Sequence, residues 1–538
     1  MPNDCFDVWL YDIQKLKQFF SKFSETHPFF INYKVHSRYF EEYFSSDRGL
    51  GAQTVVVEKD YVDRDFLLDF GGYYARCFRD YRRHCARLHF FTIKFSEEEF
   101  LSCIKGDNAA LRAELESDKS ENYLGFIVVK PVPKTFVGRT CLKTYSELGT
   151  GRIFPNTRNY EVHLFGLDLN VKTLAFQEQD QVVSACATSA LWSAFQGTGK
   201  LFHHSIPPPI EITKAAYSVE SEFEPRAMPN RGLSAVQLFH AIREVTLEPF
   251  KVDAEEVQVL KGTVYGYLKA GIPLLLVYTI YDNRKCPAEW LGYHVGTVTG
   301  YNLGLLDAEP NAATGFLLKA SRINKFYVHD DQIGPFARMV FDGTDVSVVE
   351  DGTLKATFSL SSSWPGKDGV PEVGRAVPDI LVVPLYQTIR LPFEKIHDII
   401  LNFDALLRVI RLAGYYFIPS DIEWDVYLIA MNDFKKEIID DLTISRELKE
   451  KVLLKCMPRF LWRALAKNKS DGSKLADFLF DSTEIEQGKL CHRIINYNQD
   501  FWNLLVDMSG SQELEELIQD EYPRLLGVLN QVKDQANE

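Results

Sequence analysis

Ser184-Ala-Cys186-Ala-Thr188-Ser-Ala-Leu-Trp192 is the stretch on which the reading of this chain turns. Small residues surround a cysteine where a helix should begin, and Ala187, Leu191, Ala194 and Phe195 recur behind it at helical spacing. The period predicts a helix over 182–196, closed by Gly197 and Gly199. Cys186 would then stand at the positive end of the helix dipole, which favours a thiolate. Small neighbours leave room for a carbonyl group to approach. A free cysteine is also among the residue types most often buried, so this window alone does not decide its role.

A thiol nucleophile needs a base, and the base needs an orienting group. Gly292-Tyr-His294-Val-Gly-Thr-Val-Thr-Gly300-Tyr301-Asn302 reads as a strand opened by a histidine. Lys325-Phe-Tyr-Val-His-Asp330-Asp331-Gln-Ile-Gly334 reads as a strand ending in two acids and a turn. Asp330 is expected to accept the Nδ1 hydrogen of His294 and so hold the tautomer that takes a proton from Cys186. Asp331 is the alternative third member. Alone, each segment is ordinary; the order Cys-helix, His-strand, acid at a strand end carries the weight. Upstream, Phe176-Gln177-Glu-Gln179-Asp180-Gln181 offers side-chain amides. One of them, with the Cys186 N–H, would supply the two donors of an oxyanion hole.

These residues resemble the papain-like cysteine peptidases, and within them the group that processes double-glycine bacteriocin leaders. That group shares a Gln shortly before a helix-starting Cys, a His on a strand ending in a Gly-Tyr-like turn, and an acid or amide at the next strand's end. The segment Leu268-Lys-Ala-Gly271-Ile-Pro273-Leu-Leu-Leu-Val is similar to its helix-Gly-x-Pro-strand entry into the β half. The resemblance spans 170–345. It implies an α+β fold with a papain-like core: a helical half carrying Cys186 and an antiparallel β half carrying His294 and Asp330. Two departures stand out. The family places its oxyanion Gln six residues before the Cys, where this chain has Asp180 flanked by Gln179 and Gln181; Gln179, with a one-residue bulge, is the residue the resemblance implies. Ala187 also stands where many members have Gly or Trp.

The implied activity is that of a cysteine peptidase acting on a peptide or isopeptide bond through a thioester. Resolution by an amine would make it an amidase or acyltransferase, and loss of catalysis would leave a papain-like binding scaffold. The chemistry needs no cofactor and no metal. His203–His204 lacks a Cys or acid at ligand spacing. There is no Walker A element and no GxGxxG.

The rest of the chain bounds these readings. Apolar residues at 46% and charged residues at 25% exclude a largely disordered or collagen-like chain. The net charge of −14 argues against a basic nucleic-acid coat and against anionic membrane surfaces. The longest apolar run, at 272–280, falls short of the roughly 20 residues that span a bilayer, and the first residues carry no basic region of a secretory leader. Nine scattered cysteines without a CxxC pair read as free thiols in a reducing, cytoplasmic setting. Three segments are expected: a mainly helical region over 1–120, the peptidase core over 121–378, and a mainly helical region over 379–538. Residues 63–90 read as a helix interrupted at Gly71–Gly72, with Arg76, Arg79, Arg82, Arg83 and Arg87 as a solvated face paired with Asp63, Asp65 and Asp69. Residues 361–376, rich in Ser, Gly and Pro, read as a linker. The expected partners are a protein or peptide substrate and a regulatory protein engaging the flanking regions. Gly138-Arg-Thr and Phe480-Asp481-Ser-Thr look motif-like but suggest no role.

Overall fold

Five strands from the first part of the chain form one antiparallel sheet in sequence order: Phe6–Leu10, Thr54–Tyr61, Cys85–Phe91, Tyr123–Val129 and Val137–Leu142. The region over 1–120 thus adds three strands to its six helices among the described residues. The expected helix over 63–90 is confined to Arg64–Gly72 and a 3-10 turn at Tyr74–Arg76, and Cys85–Phe91 is a strand. Every residue of that strand is buried. Within it Arg87 and His89 alternate with Ala86, Leu88 and Phe90, a period of two that the helical spacing of the residues before it masks. The arginines of the stretch also pair elsewhere. Arg79 binds Glu25 and Arg87 binds Glu58, while Asp65 binds Arg64 and Arg139.

The computed structural model describes the chain apart from residues 1–4, 48, 117–121, 181, 184, 219–231, 351, 367, 369, 413, 415–418, 485–489, 522 and 538. The fold is mixed α+β and divides into two units. One comprises Met1–Val252, Pro273–Asn302 and Asn324–Pro384; the other comprises Asp253–Ile272, Leu303–Ile323 and Leu385–Glu538. This differs from three consecutive segments. The reason is packing: one apolar core runs from Phe20, Phe40 and Phe44 through Phe90 to Phe176, Tyr327 and Phe336. Phe44 stacks on Phe90 with ring centroids 4.0 Å apart. Burial of each such side chain is worth roughly 1.5–3 kcal/mol, so the first 120 residues gain their stability from the same core as the expected peptidase segment.

In the first unit a second sheet closes on itself. Its order is Leu274–Asp282, Glu289–Leu303, Ile323–Asp330, Gly334–Val340, Leu360–Ser361 and Gly374–Tyr386, and the last strand pairs back onto the first. Residues 374–376, expected within a linker, are thus part of the ring. The helix Cys186–Phe202 packs against this sheet: Thr297 Oγ1 donates to the Ala190 carbonyl at 2.7 Å. It runs past Gly197 and Gly199, which do not end it. A Cβ on Gly197 would meet Pro273 Cγ at 3.2 Å, and one on Gly199 would meet Ile206 Cγ1 at 2.7 Å. These glycines allow close approach inside a helix.

The second unit has its own five-stranded sheet in the order Leu317–Leu318, Ile422–Ala430, Phe460–Asn468, Lys474–Asp481 and Cys491–Asn496. The first pair is parallel and the others antiparallel. Helices Val257–Lys269 and Phe393–Leu412 belong to this unit. The region over 379–538 thus sets four strands of this sheet among its helices. Its strand Phe460–Asn468 is again buried almost throughout, the pattern that hides a strand from a period-based reading. No helix among the described residues is long and apolar enough to cross a membrane.

Candidate active site

Cys186 is the first residue of its helix and is half-buried. The cap position is Ala185, which offers no side-chain acceptor to the first-turn N–H groups. Behind Cys186 the helix is locked in place. Thr188 Oγ1 meets Thr213 Oγ1, and Trp192 Nε1 donates to Asp65 Oδ2 at 2.9 Å. The turn leading in is set by Asp180. Its Oδ1 accepts the N–H groups of Val182 and Val183, and its Oδ2 accepts the Tyr74 hydroxyl at 2.8 Å. The residue standing at the family's glutamine position is therefore occupied in shaping the loop. Gln179 is half-buried and donates no hydrogen bond among the described residues. Gln181 lies outside them.

His294 sits near the middle of Glu289–Leu303 and is 2% exposed. Tyr278 lies directly across from it on the neighbouring strand, with ring centroids 5.4 Å apart. Its Nε2 is 3.1 Å from Asp330 Oδ1 and 3.2 Å from Asp331 Oδ1. The nitrogen facing the acids is thus Nε2 and not the expected Nδ1. The acid turn lies at the far end of the adjoining strand, and Nε2 is the ring nitrogen farther from the backbone.

Asp330 is held on all sides. Its Oδ2 accepts the Tyr278 hydroxyl at 2.7 Å and the Trp364 Nε1–H at 2.9 Å, and its Oδ1 accepts the Gln332 N–H. Asp331 accepts no well-formed hydrogen bond at either oxygen. Burial opposes charge on both acids and on the imidazole. For Asp330 the opposition is outweighed by His294 and the surrounding donors, which bring the carboxyl down to about 2. For Asp331 burial wins, with the Asp330 charge adding to it, and the carboxyl is raised. His294 is lifted well above its usual value, because the two carboxylates outweigh its burial. Burial and then Asp330 raise the Tyr278 phenol, and Cys186 lies near enough to add to that rise. The helix start and the His294–Asp330 pair therefore share one neighbourhood.

His294, Asp330 and Asp331 also form the one group among the described residues whose ligand-type atoms lie within 4.8 Å of one another. Sequence reasoning missed Tyr278, Trp364 and two residues from the first 120, Lys34 and His36. Trp364 fell inside the expected linker. His36 contacts the main chain of Asp331, and Lys34 forms an ion pair with Glu178. Only the apolar run that holds Tyr278 carried a readable strand signal. Compared with known proteins, the chain matches no family model and no curated protein.

Proposed function

We propose that this chain is a cysteine-dependent hydrolase, a papain-like peptidase acting in the cytoplasm. The observation that carries the reading is a histidine clamped at Nε2 by Asp330, beside a cysteine that opens a helix. With Nε2 committed to the acid, Nδ1 is left to exchange a proton with the thiol. The Cys186 sulfur attacks the scissile carbonyl, and its proton passes to His294. His294 returns that proton to the leaving amine, which departs as the thioester forms. Water then attacks the thioester with His294 as base, releasing the acid and restoring the thiol. Asp330 keeps the ring oriented and its charged state stabilised. The Cys186 N–H and Gln179 hold the oxyanion. A closed antiparallel ring bearing His and Asp, next to a helix bearing Cys, supports the papain-like assignment.

The test is pH-dependent alkylation of the native protein, with the modified site found by mass spectrometry. Cys186 should react fastest, well below the free-thiol value of about 8.5, and His294→Ala should abolish that advantage. If Cys186 reacts no faster than the exposed Cys456, the reading fails.

A further inference from the structure

The strand Gly334–Val340 returns from the acid turn with one residue more than its partner. Val328 pairs with Ala337 and Asp330 with Gly334, so two steps along one strand meet three along the other. The surplus falls at Pro335–Phe336. Phe336 takes a φ of 55°, a left-handed conformation that a bulky residue rarely adopts. A bulge of this kind re-aims a neighbouring side chain. Here the neighbour is Asp330, whose Oδ1 faces His294. Backbone held in such a region persists only where its surroundings over-determine it, and it gathers at functional sites.

Two side chains outside the Cys–His–Asp set hold this bulge. His329 precedes Asp330 and is 2% exposed. Its Nδ1 accepts the Phe336 N–H at 3.1 Å. Its Nε2 lies 3.0 Å from the Leu174 carbonyl oxygen, an acceptor, so Nε2 carries the hydrogen and Nδ1 the lone pair. The ring meets Phe176 and Phe336 edge to face, with centroids 5.6 and 4.6 Å away. Burial brings its titration down to about 3, so the ring is neutral and both bonds persist near neutral pH. Tyr39 comes from the helix Val35–Phe44. Its hydroxyl donates to the Pro335 carbonyl and stands 3.1 Å from the Tyr145 hydroxyl. Its ring closes on Gly334, where a Cβ would come within 2.7 Å of Tyr39 Cδ1. Leu174 heads the segment that carries Gln179 and Asp180. His329 therefore ties the acid turn to the chain that leads toward Cys186.

We infer that His329 and Tyr39 are positioning residues, which hold the bulge at Pro335–Phe336 so that the Asp330 carboxylate meets His294 Nε2. The inference rests on the hydrolase reading for its catalytic meaning. Without the His329 ring, the Phe336 N–H and the Leu174 carbonyl lose their partner inside the core, and nothing there favours the left-handed Phe336.

The experiment follows the His294 titration by NMR in the full-length protein labelled at histidine. The His294 signal is the one absent from His294→Gln. The groups facing His294 are Asp330 and Asp331 on the turn and Tyr278 across the strand pair, with Cys186 near Tyr278. Its midpoint thus reports how closely the carboxylates stand. His329→Leu is expected to lower that midpoint by about 1 unit or more. Tyr39→Phe, which keeps the ring against Gly334, is expected to lower it less. In an Asp330→Asn background neither substitution should lower it further. A purely structural role would reduce the denaturant midpoint and leave the His294 titration in place, which overturns the inference. An equal fall with and without the Asp330 charge also overturns it. If His329→Leu does not fold, Tyr39→Phe decides, and an unmoved titration there overturns the inference. Alkylation of Cys186 in the parent protein separates the two ideas. An unreactive Cys186 ends the catalytic meaning of the bulge, whereas a reactive Cys186 with an unmoved His294 in both variants leaves the hydrolase reading standing and removes the positioning role.

Discussion

Asp331 in the first unit and Asp425 in the second are aspartates buried to almost the same depth, yet their surroundings differ. Asp425 lies on Ile422–Ala430. Its Oδ1 accepts the Tyr265 hydroxyl and its Oδ2 accepts Lys319 Nζ, each at 2.7 Å. Burial opposes its charge, but Lys269 and Lys319 outweigh burial and hold it well below the usual carboxylate range. Asp331 has only a share of one imidazole proton, and burial raises it. A buried charge with full partners rigidifies a fold. One with a shared proton keeps free energy available for a ligand or a reaction.

Three substitutions sharpen that contrast. The largest effect is expected for Asp425→Ala, which strands lysine charge inside the second unit. Breaking a buried pair this way costs about 3–5 kcal/mol, read as a lower denaturant midpoint. An unchanged midpoint would remove the contrast.

Asp330→Asn should act on chemistry more than on stability. The folded His294 value is raised, so the imidazolium and its ion pair persist below that value and are lost as pH climbs through it. Without the Asp330 charge the loss begins lower. The alkaline limb of Cys186 alkylation should move down by about 1–3 pH units. A limb that stays in place would show that Asp331 alone sustains the imidazolium.

The smallest effect is expected for Asp331→Asn, a gain of about 1 kcal/mol near neutral pH from relief of an under-satisfied carboxylate. Here the sign is reversed. The folded state holds the Asp331 proton more tightly than the unfolded state, so this acid costs stability as pH rises above the unfolded value near 3.9. Denaturation at a series of pH values should show a shallower decline in the variant. A loss of stability comparable to Asp425→Ala would place Asp331 with the fully paired carboxylates.

The sequence by itself determined the local elements of the site. Helical spacing behind Cys186, alternation around His294 and the turn after Asp330 are properties of a few consecutive residues, and each element forms, although the helix runs on to Phe202 and the strand begins at Glu289 and not at His294. The strand at Phe460–Asn468 escaped because burial on both faces erases the alternation that marks a strand, and at Cys85–Phe91 the alternation of Ala86, Leu88 and Phe90 with Arg87 and His89 is masked by the helical spacing of the residues before it. Gly197 and Gly199 looked like a helix end, and only the neighbouring Pro273 and Ile206 explain them. The tertiary structure alone decided that Nε2 of His294 meets the acids and that Tyr278 and Trp364 saturate Asp330. It alone brought His36 from the N-terminal region to Asp331. Those pairings join residues far apart in the chain. They are fixed by how the ring of strands closes and by the core it shares with the first sheet, which no local periodicity encodes.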